Sequence, residues 1–166
     1  MKNDSRQPRH RSPVPPPGRV IGKTSYDRAA ERDVLQRGVE EYKRATGAPP
    51  PRIAITAGEV CAEVLLNSSA TARKLLDVLP VKSAAHVWGD EIYFEIPMHA
   101  EPEDPQGSVP PGTVAFWPEG DCLCVFFGQK PYSPVNVVGA TEGDPADFSR
   151  VREGDAVCVE LSEAGK

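Results

Sequence analysis

The chain has 166 residues, 39% of them hydrophobic, with 24 Asp and Glu against 19 Lys and Arg for a net charge of −5. That length supports one domain with its own core and leaves little for a second, while 18 prolines and 14 glycines argue against a helical bundle and for short strands joined by many turns. No apolar run approaches the roughly 18 residues of a membrane span, and the opening residues lack the apolar stretch of a secretory signal, so a soluble, cytoplasmic chain without membrane contact is expected.

The charge is unevenly spread. Residues 1–23 carry six Lys and Arg against one Asp, whereas residues 52–166 carry eight against eighteen Asp and Glu. An acidic body repels phosphate backbones, so no nucleic-acid partner is expected. The basic, proline-rich segment 1–23 has the composition of a disordered tail, and its "PVPPPGR" could adopt polyproline II. Residues 24–50 form a second segment, a helix between Ser25 and Gly47 followed by a proline linker. Asp27, Glu31 and Asp33 stand early in that helix, Lys43 and Arg44 late, and Gly47 with Pro49 stops it. Val34, Leu35, Val39, Tyr42 and Ala45 share an arc of about 140°. The helix near 34–46 therefore has a face to cover, either on its own domain or, in a homodimer, on a second copy.

From residue 51 to 163 the periodicity becomes two. "RIAITAGEVCAEVLL" reads as a hairpin around Ala57-Gly58-Glu59, and "NSSATARKLLDVLP" as a short helix with a serine cap, a leucine face of Leu75, Leu76 and Leu79, and a proline stop. "VKSAAHVWGDEIYFEIP" reads as a second hairpin about Gly89-Asp90. Val87 then faces Ile92, Ala85 faces Phe94 and Ser83 faces Ile96 inward, with His86 opposite Tyr93 and Ala84 opposite Glu95 on the other surface. A loop from His99 to Pro111 leads to "GTVAFWPEGDCLCVFFG". Pairing across Pro118–Asp121 matches Trp117 with Cys122, Phe116 with Leu123, Ala115 with Cys124 and Val114 with Val125. One face then holds Val114, Phe116, Leu123, Val125 and Phe127, and the other holds Ala115, Trp117, Cys122, Cys124 and Phe126. "SPVNVVGATEG" and "GDAVCVEL" add two more strands. The total is about eight, and a mainly β, closed antiparallel barrel with one short internal helix fits best.

The Cys-x-Cys pair invites a metal or redox reading. Strand residues two apart lie about 6.6 Å from one another, beyond the common Cα separation of a disulfide. Cys61, Cys158, His86 and His99 supply no second close pair for a tetrahedral zinc, and neither Cys122 nor Cys124 has a histidine or helix amino terminus beside it in sequence. All four cysteines read as small strand hydrophobes. No metal and no cofactor is expected.

The succession of a hairpin, a short helix ending "LLDVLP", "WGDEIYFEIP", "GTVAFWPEGDCLCVFFG" and "SPVNVVG" resembles the small prokaryotic cyclophilin-like family. The resemblance runs from Arg52 to about Leu161. It rests most on Trp88-Gly89-Asp90-Glu91 with Tyr93-Phe94, on Gly112, Trp117-Pro118 and Phe127-Gly128, and on the run Ser133 to Gly139. It implies one compact eight-stranded barrel and, by likeness to true cyclophilins, a groove on the outer sheet surface that holds a peptide. True cyclophilins isomerise Xaa-Pro bonds with an arginine, a glutamine and an aromatic floor. Here no arginine lies between Arg73 and Arg150, and the ammonium of Lys82 does not reproduce the guanidinium fork.

The expected function is therefore a cyclophilin-like module that binds a small molecule or short peptide without efficient catalysis. The alternatives are a weak peptidyl-prolyl isomerase and an assembly subunit acting through its helix. The candidate groove joins Trp88, Glu91, Tyr93 and Glu95 from one hairpin, Trp117 and Phe126 from the other, and Lys130 and Tyr132 from "GQKPYSP". The amino-terminal helix is expected to close over Trp117 and Phe126 as a lid.

Overall fold

The computed structural model describes residues 28–162. The expected disordered tail 1–23, and the start of the expected helix at Ser25, lie outside the described residues, as do the side chains of Glu31 and Val34. Helix α1 (Arg28–Thr46) precedes β1 (Arg52–Ala57), β2 (Val60–Leu66), α2 (Ala70–Val78), β3 (Val81–Ala84), β4 (His86–Val87) and β5 (Glu91–Glu95). Then come β6 (Thr113–Trp117), β7 (Cys122–Phe126), β8 (Asn136–Thr141), a 3-10 helix (Pro145–Arg150) and β9 (Ala156–Leu161).

The strands form one antiparallel sheet in the order β3-β9-β1-β2-β8-β6-β7-β5-β4. Because β3 and β4 follow one another along the chain, the two ends of that order meet and the barrel is nearly closed. The nine strands thus occupy the eight positions the sequence implied. The break falls at Ala85, whose N–H donates to the Asp155 carbonyl at 2.9 Å and whose carbonyl accepts from the Gly154 N–H at 2.7 Å.

That break corrects the register expected for residues 83–96. His86 does pair with Tyr93 and Val87 with Ile92. Ser83 and Ala84 instead pair with Val157 and Ala156 of β9, so the expected partners Ile96 and Glu95 are not met. Val87, expected to face inward, is 37% exposed. A hairpin is the local solution for this stretch, but β9 offers an unfilled sheet edge, and joining it closes the barrel and leaves fewer unpaired backbone groups.

The β6–β7 hairpin has the expected register at all four pairs, and its alternation separates two apolar clusters. Val114, Phe116, Leu123 and Val125 point into the barrel with Ile53, Ile55, Val64, Ile92, Phe94 and Val159. Ala115, Trp117, Cys122, Cys124 and Phe126 point outward and are buried with Tyr93 and Val135. Fully buried phenylalanines such as Phe94 and Phe116 each contribute about 1.5–3 kcal/mol by leaving water. Gly139 in β8 permits the close passage of β2, since a Cβ there would run into the Leu65 carbonyl oxygen.

Helix α2 starts at Ser69, whose hydroxyl oxygen accepts the Ala72 N–H at 3.1 Å, and it plugs one end of the barrel with fully buried Leu75. The 3-10 helix, unforeseen in sequence, is capped by Asp144 with Pro145 in its first turn, and it inserts Phe148 into the core. Helix α1 ends where expected, at Gly47 with φ of +80°. Its Leu35 and Tyr42 face Leu65, Val109 and Val137 across a cleft of about 340 Å³. The helix therefore lies beside β2 and β8 and is not seated on Trp117 and Phe126. An amphipathic arc specifies that a helix docks, and leaves the docking surface to the fold.

Candidate functional site

The outer face of β5, β6 and β7 carries the candidate site. Adjacent strands place Glu91 opposite Phe126, Tyr93 opposite Cys124 and Glu95 opposite Cys122. All six side chains share the outward face, because strand side chains alternate. Beside them opens a groove of about 310 Å³ lined by His86, Tyr93, Glu95, Ile96, Trp117, Glu119, Gly120, Asp121 and Cys122.

Its floor belongs to a continuous aromatic strip. His86 stacks on Tyr93 with centroids 5.0 Å apart and planes at 30°, and Tyr93 meets Trp117 edge-on at 6.4 Å. Trp117 meets Tyr132 at 6.3 Å and Tyr132 meets Trp88 at 6.2 Å, again edge to face. Each such pair adds about 0.5–1.5 kcal/mol beyond its buried area. Polar contacts hold the strip at its middle and at the His86 end. The Trp117 indole N–H donates to the Ser133 hydroxyl at 2.7 Å, and that hydroxyl donates to Glu119 at 3.3 Å. His86 Nδ1 lies 2.9 Å from one oxygen of Glu153, whose other oxygen accepts the Val87 N–H at 2.8 Å.

The rim is acidic. Glu95 and Glu119 are exposed, and Asp121 is engaged by His99, whose Nδ1 stands 2.6 Å from the carboxylate. The Asp121 contact, together with Glu101 on the other ring nitrogen, raises the His99 pKa above its ordinary value.

The expected site residues thus separate into three groups. Tyr93, Glu95 and Trp117 line the groove, and Trp88 and Tyr132 extend its aromatic floor. Phe126 and Glu91 lie buried on the same sheet face, outside the lining. Lys130 is exposed on the loop after β7 and is not among the residues lining the groove. His86, Glu119 and Asp121 join the site although sequence reasoning did not select them; the His86–Tyr93 register was the one signal that could have found the first.

Glu91 is the outlier in burial, at 6% exposure, and its Oε1 has no hydrogen-bond partner. Burial pushes its pKa up to about 8, opposed by a contact with the Cys124 thiol. Burial also pushes Cys122 up to about 12 and Cys124 well above its ordinary value, with nearby carboxylates adding to both. Neither thiol is a competent nucleophile at neutral pH. Among the described residues no group of three His, Cys, Asp or Glu side chains gathers as metal ligands. A thiol-reactive disulfide reagent at pH 8 should therefore label exposed Cys61 readily and reach Cys122 and Cys124 only after unfolding; rapid native-state labelling of both strand cysteines would contradict their burial.

A nearly closed antiparallel barrel with a plugging helix and an outward aromatic groove defines a cyclophilin-like domain. The chain belongs to the cyclophilin-like family, whose model matches residues 51–160. The solution structure of the hypothetical protein AF2241 from Archaeoglobus fulgidus is 34% identical, with a TM-score of 0.60 over 68% of this chain and 95% of that one. The structure of McbB in complex with tryptophan is 21% identical, with a TM-score of 0.53 over 67% of this chain and 45% of that one, and shares the fold. No curated protein matches the chain.

Proposed function

We propose that this protein is a binding module of the cyclophilin-like family, which takes a small molecule or short peptide in the groove over Tyr93 and Trp117 and does not isomerise prolyl bonds efficiently. The carrying observation is the composition of the groove: an aromatic floor and three carboxylates, with no arginine lining it. Prolyl isomerisation, as the family resemblance describes it, relies on a guanidinium held over the prolyl amide, and no side chain lining this groove supplies that planar pair of donors. Ligand binding needs only a concave surface that combines apolar patches with a few polar groups, and Tyr93, Ile96 and Trp117 with Glu95 and Glu119 supply these. A place in the cytoplasm belongs to the same proposal. Among the described residues no helix is long and apolar enough to cross a membrane.

A protease-coupled assay on a proline tetrapeptide should show no acceleration over the intrinsic exchange, which takes tens to hundreds of seconds. A thermal-shift screen of metabolites, amino acids including tryptophan, and proline peptides should find a stabilising ligand, since one present at about a hundred times its Kd adds roughly 2.7 kcal/mol. Strong isomerase turnover would replace the binding reading with the enzymatic one.

A further inference from the structure

If the groove is a ligand site, its charge states which ligands it selects. Glu95, Glu119 and Asp121 stand around it, and no lysine or arginine is among its lining residues. The surrounding body carries the same sign, with eighteen Asp and Glu against eight Lys and Arg over residues 52–166. A concave surface whose lining holds more carboxylates than cationic groups carries a net negative field, which disfavours an anion. A neutral apolar ligand would strip water from the rim carboxylates without replacing it. A cation meets neither cost. Its charge is attracted by the rim, and an aliphatic stem can lie against Tyr93 and Trp117 where they line the groove.

We infer that the groove is cation-selective, taking a guanidinium or ammonium group on a short aliphatic stem, with the stem along Tyr93 and Trp117 and the charge met by Glu95 and Glu119. The inference rests on the proposed binding function and narrows it to a ligand class. Asp121, the third carboxylate, is engaged by His99 at 2.6 Å. Glu119 is coupled to the floor, since Ser133 accepts the Trp117 indole N–H and donates to the Glu119 carboxylate. A cation drawn to Glu119 therefore registers at the Trp117 indole. Two sources present this chemistry: an external amine, amino acid or peptide, and the chain's own residues 1–23, with six Lys and Arg.

The test uses the full chain and follows the Trp117 indole N–H resonance during titration with Nα-acetyl-arginine amide, with its neutral isostere Nα-acetyl-citrulline amide, and with Nα-acetyl-glutamate amide. The arginine probe should bind at least about tenfold more tightly than the citrulline probe, and the preference should shrink to within about twofold in the Glu95→Gln, Glu119→Gln double variant. Both positions are exposed, so the fold is retained. Equal binding of arginine and citrulline probes, or tighter binding of glutamate, overturns cation selectivity and leaves the groove as a ligand site. Silence of Trp117 toward these probes and toward the whole metabolite and peptide panel overturns the binding function and the inference together. A full-length chain with Lys2, Arg6, Arg9, Arg11, Arg19 and Lys23 changed to glutamine separates the sources. Tighter binding of the arginine probe there identifies the chain's own segment as the competing cation, and unchanged binding points to an external one.

Discussion

Glu91→Gln is expected to stabilise the protein by several kcal/mol, on the order of 5, near pH 8, and to change its stability little near pH 4. Glu91 sits at the start of β5 opposite Phe126, 6% exposed, with one carboxylate oxygen unpartnered. Burial lifts its pKa from 4.5 in the unfolded chain to about 8 in the folded one. Over that window the folded state holds a proton that the unfolded state releases. The contribution of this group to stability is therefore complete below pH 4.5, declines as pH rises, and is lost by about pH 8, where the folded state ionises too. Glutamine removes the ionisation and should flatten that slope. Urea unfolding of both proteins from pH 4 to pH 8.5 measures it; above that range the unfolded thiols begin to ionise while burial holds Cys122 and Cys124 protonated. Parallel profiles for the two proteins would mean that Glu91 is charged in the fold, and the account of its burial would be wrong. The effect reaches the site, because Glu91 shares its sheet face with Tyr93, and a charge there opposes packing of the outer cluster beneath the groove.

The difference between what could be read from the sequence and what could not follows the range of the interactions. The β6–β7 hairpin was legible to the residue, because two-residue alternation and a Pro-Glu-Gly-Asp turn fix register locally. Its division into inner and outer faces put Trp117 in the groove and both cysteines in the outer cluster. Residues 81–84 read locally as part of the Gly89-Asp90 hairpin because their true partner, β9, lies more than seventy residues away in sequence, while the pairing of His86 and Val87 with β5 is local and legible. The site divided in the same way. Tyr93 and Glu95 were recognisable as polar and aromatic groups on an outward face, whereas Glu119 and Asp121 become rim residues only when the β6–β7 turn comes beside β5. Lys130 stands near Tyr132 in sequence, but proximity in sequence does not put it in the groove, and it lies exposed outside the lining. Helix α1 was predicted from its periodicity and stop signals, which contain nothing about the cleft formed by β2, β8 and residues 106–110.

Asn136→Ala is expected to destabilise the protein by about 3–5 kcal/mol, through a network that local sequence signals could not expose. Asn136 is 1% exposed at the start of β8. Its Nδ2 donates to the Thr71 hydroxyl oxygen at 3.2 Å and to the Glu101 carbonyl at 3.0 Å, and its Oδ1 accepts the Glu103 N–H at 2.8 Å. Glu103 in turn caps helix α2, accepting from the N–H groups of Ala70 and Thr71 and from the Thr71 hydroxyl. These contacts hold its carboxyl below the usual range, the Thr71 hydroxyl most of all. One amide thus ties the barrel, the helix that plugs it and the 99–111 loop together. Alanine there removes three hydrogen bonds, leaving the Glu103 N–H and the Glu101 carbonyl without that partner while the Thr71 hydroxyl keeps Glu103, and it opens a cavity; each orphaned group costs about 1–3 kcal/mol. Chemical denaturation gives the loss, and a cycle with Thr71→Val should show the two substitutions to be non-additive, since they share a hydrogen bond. The same loop carries His99, which holds Asp121 at the groove, and Gln106, which bridges to Val135 of the outer cluster. Hydrogen exchange in Asn136→Ala should therefore rise first at Glu103 and Gln106, whose N–H groups the loop contacts protect. A loss below about 1 kcal/mol, with unchanged protection at those two amides, would show that the loop is held by other contacts and that Asn136 is not its anchor.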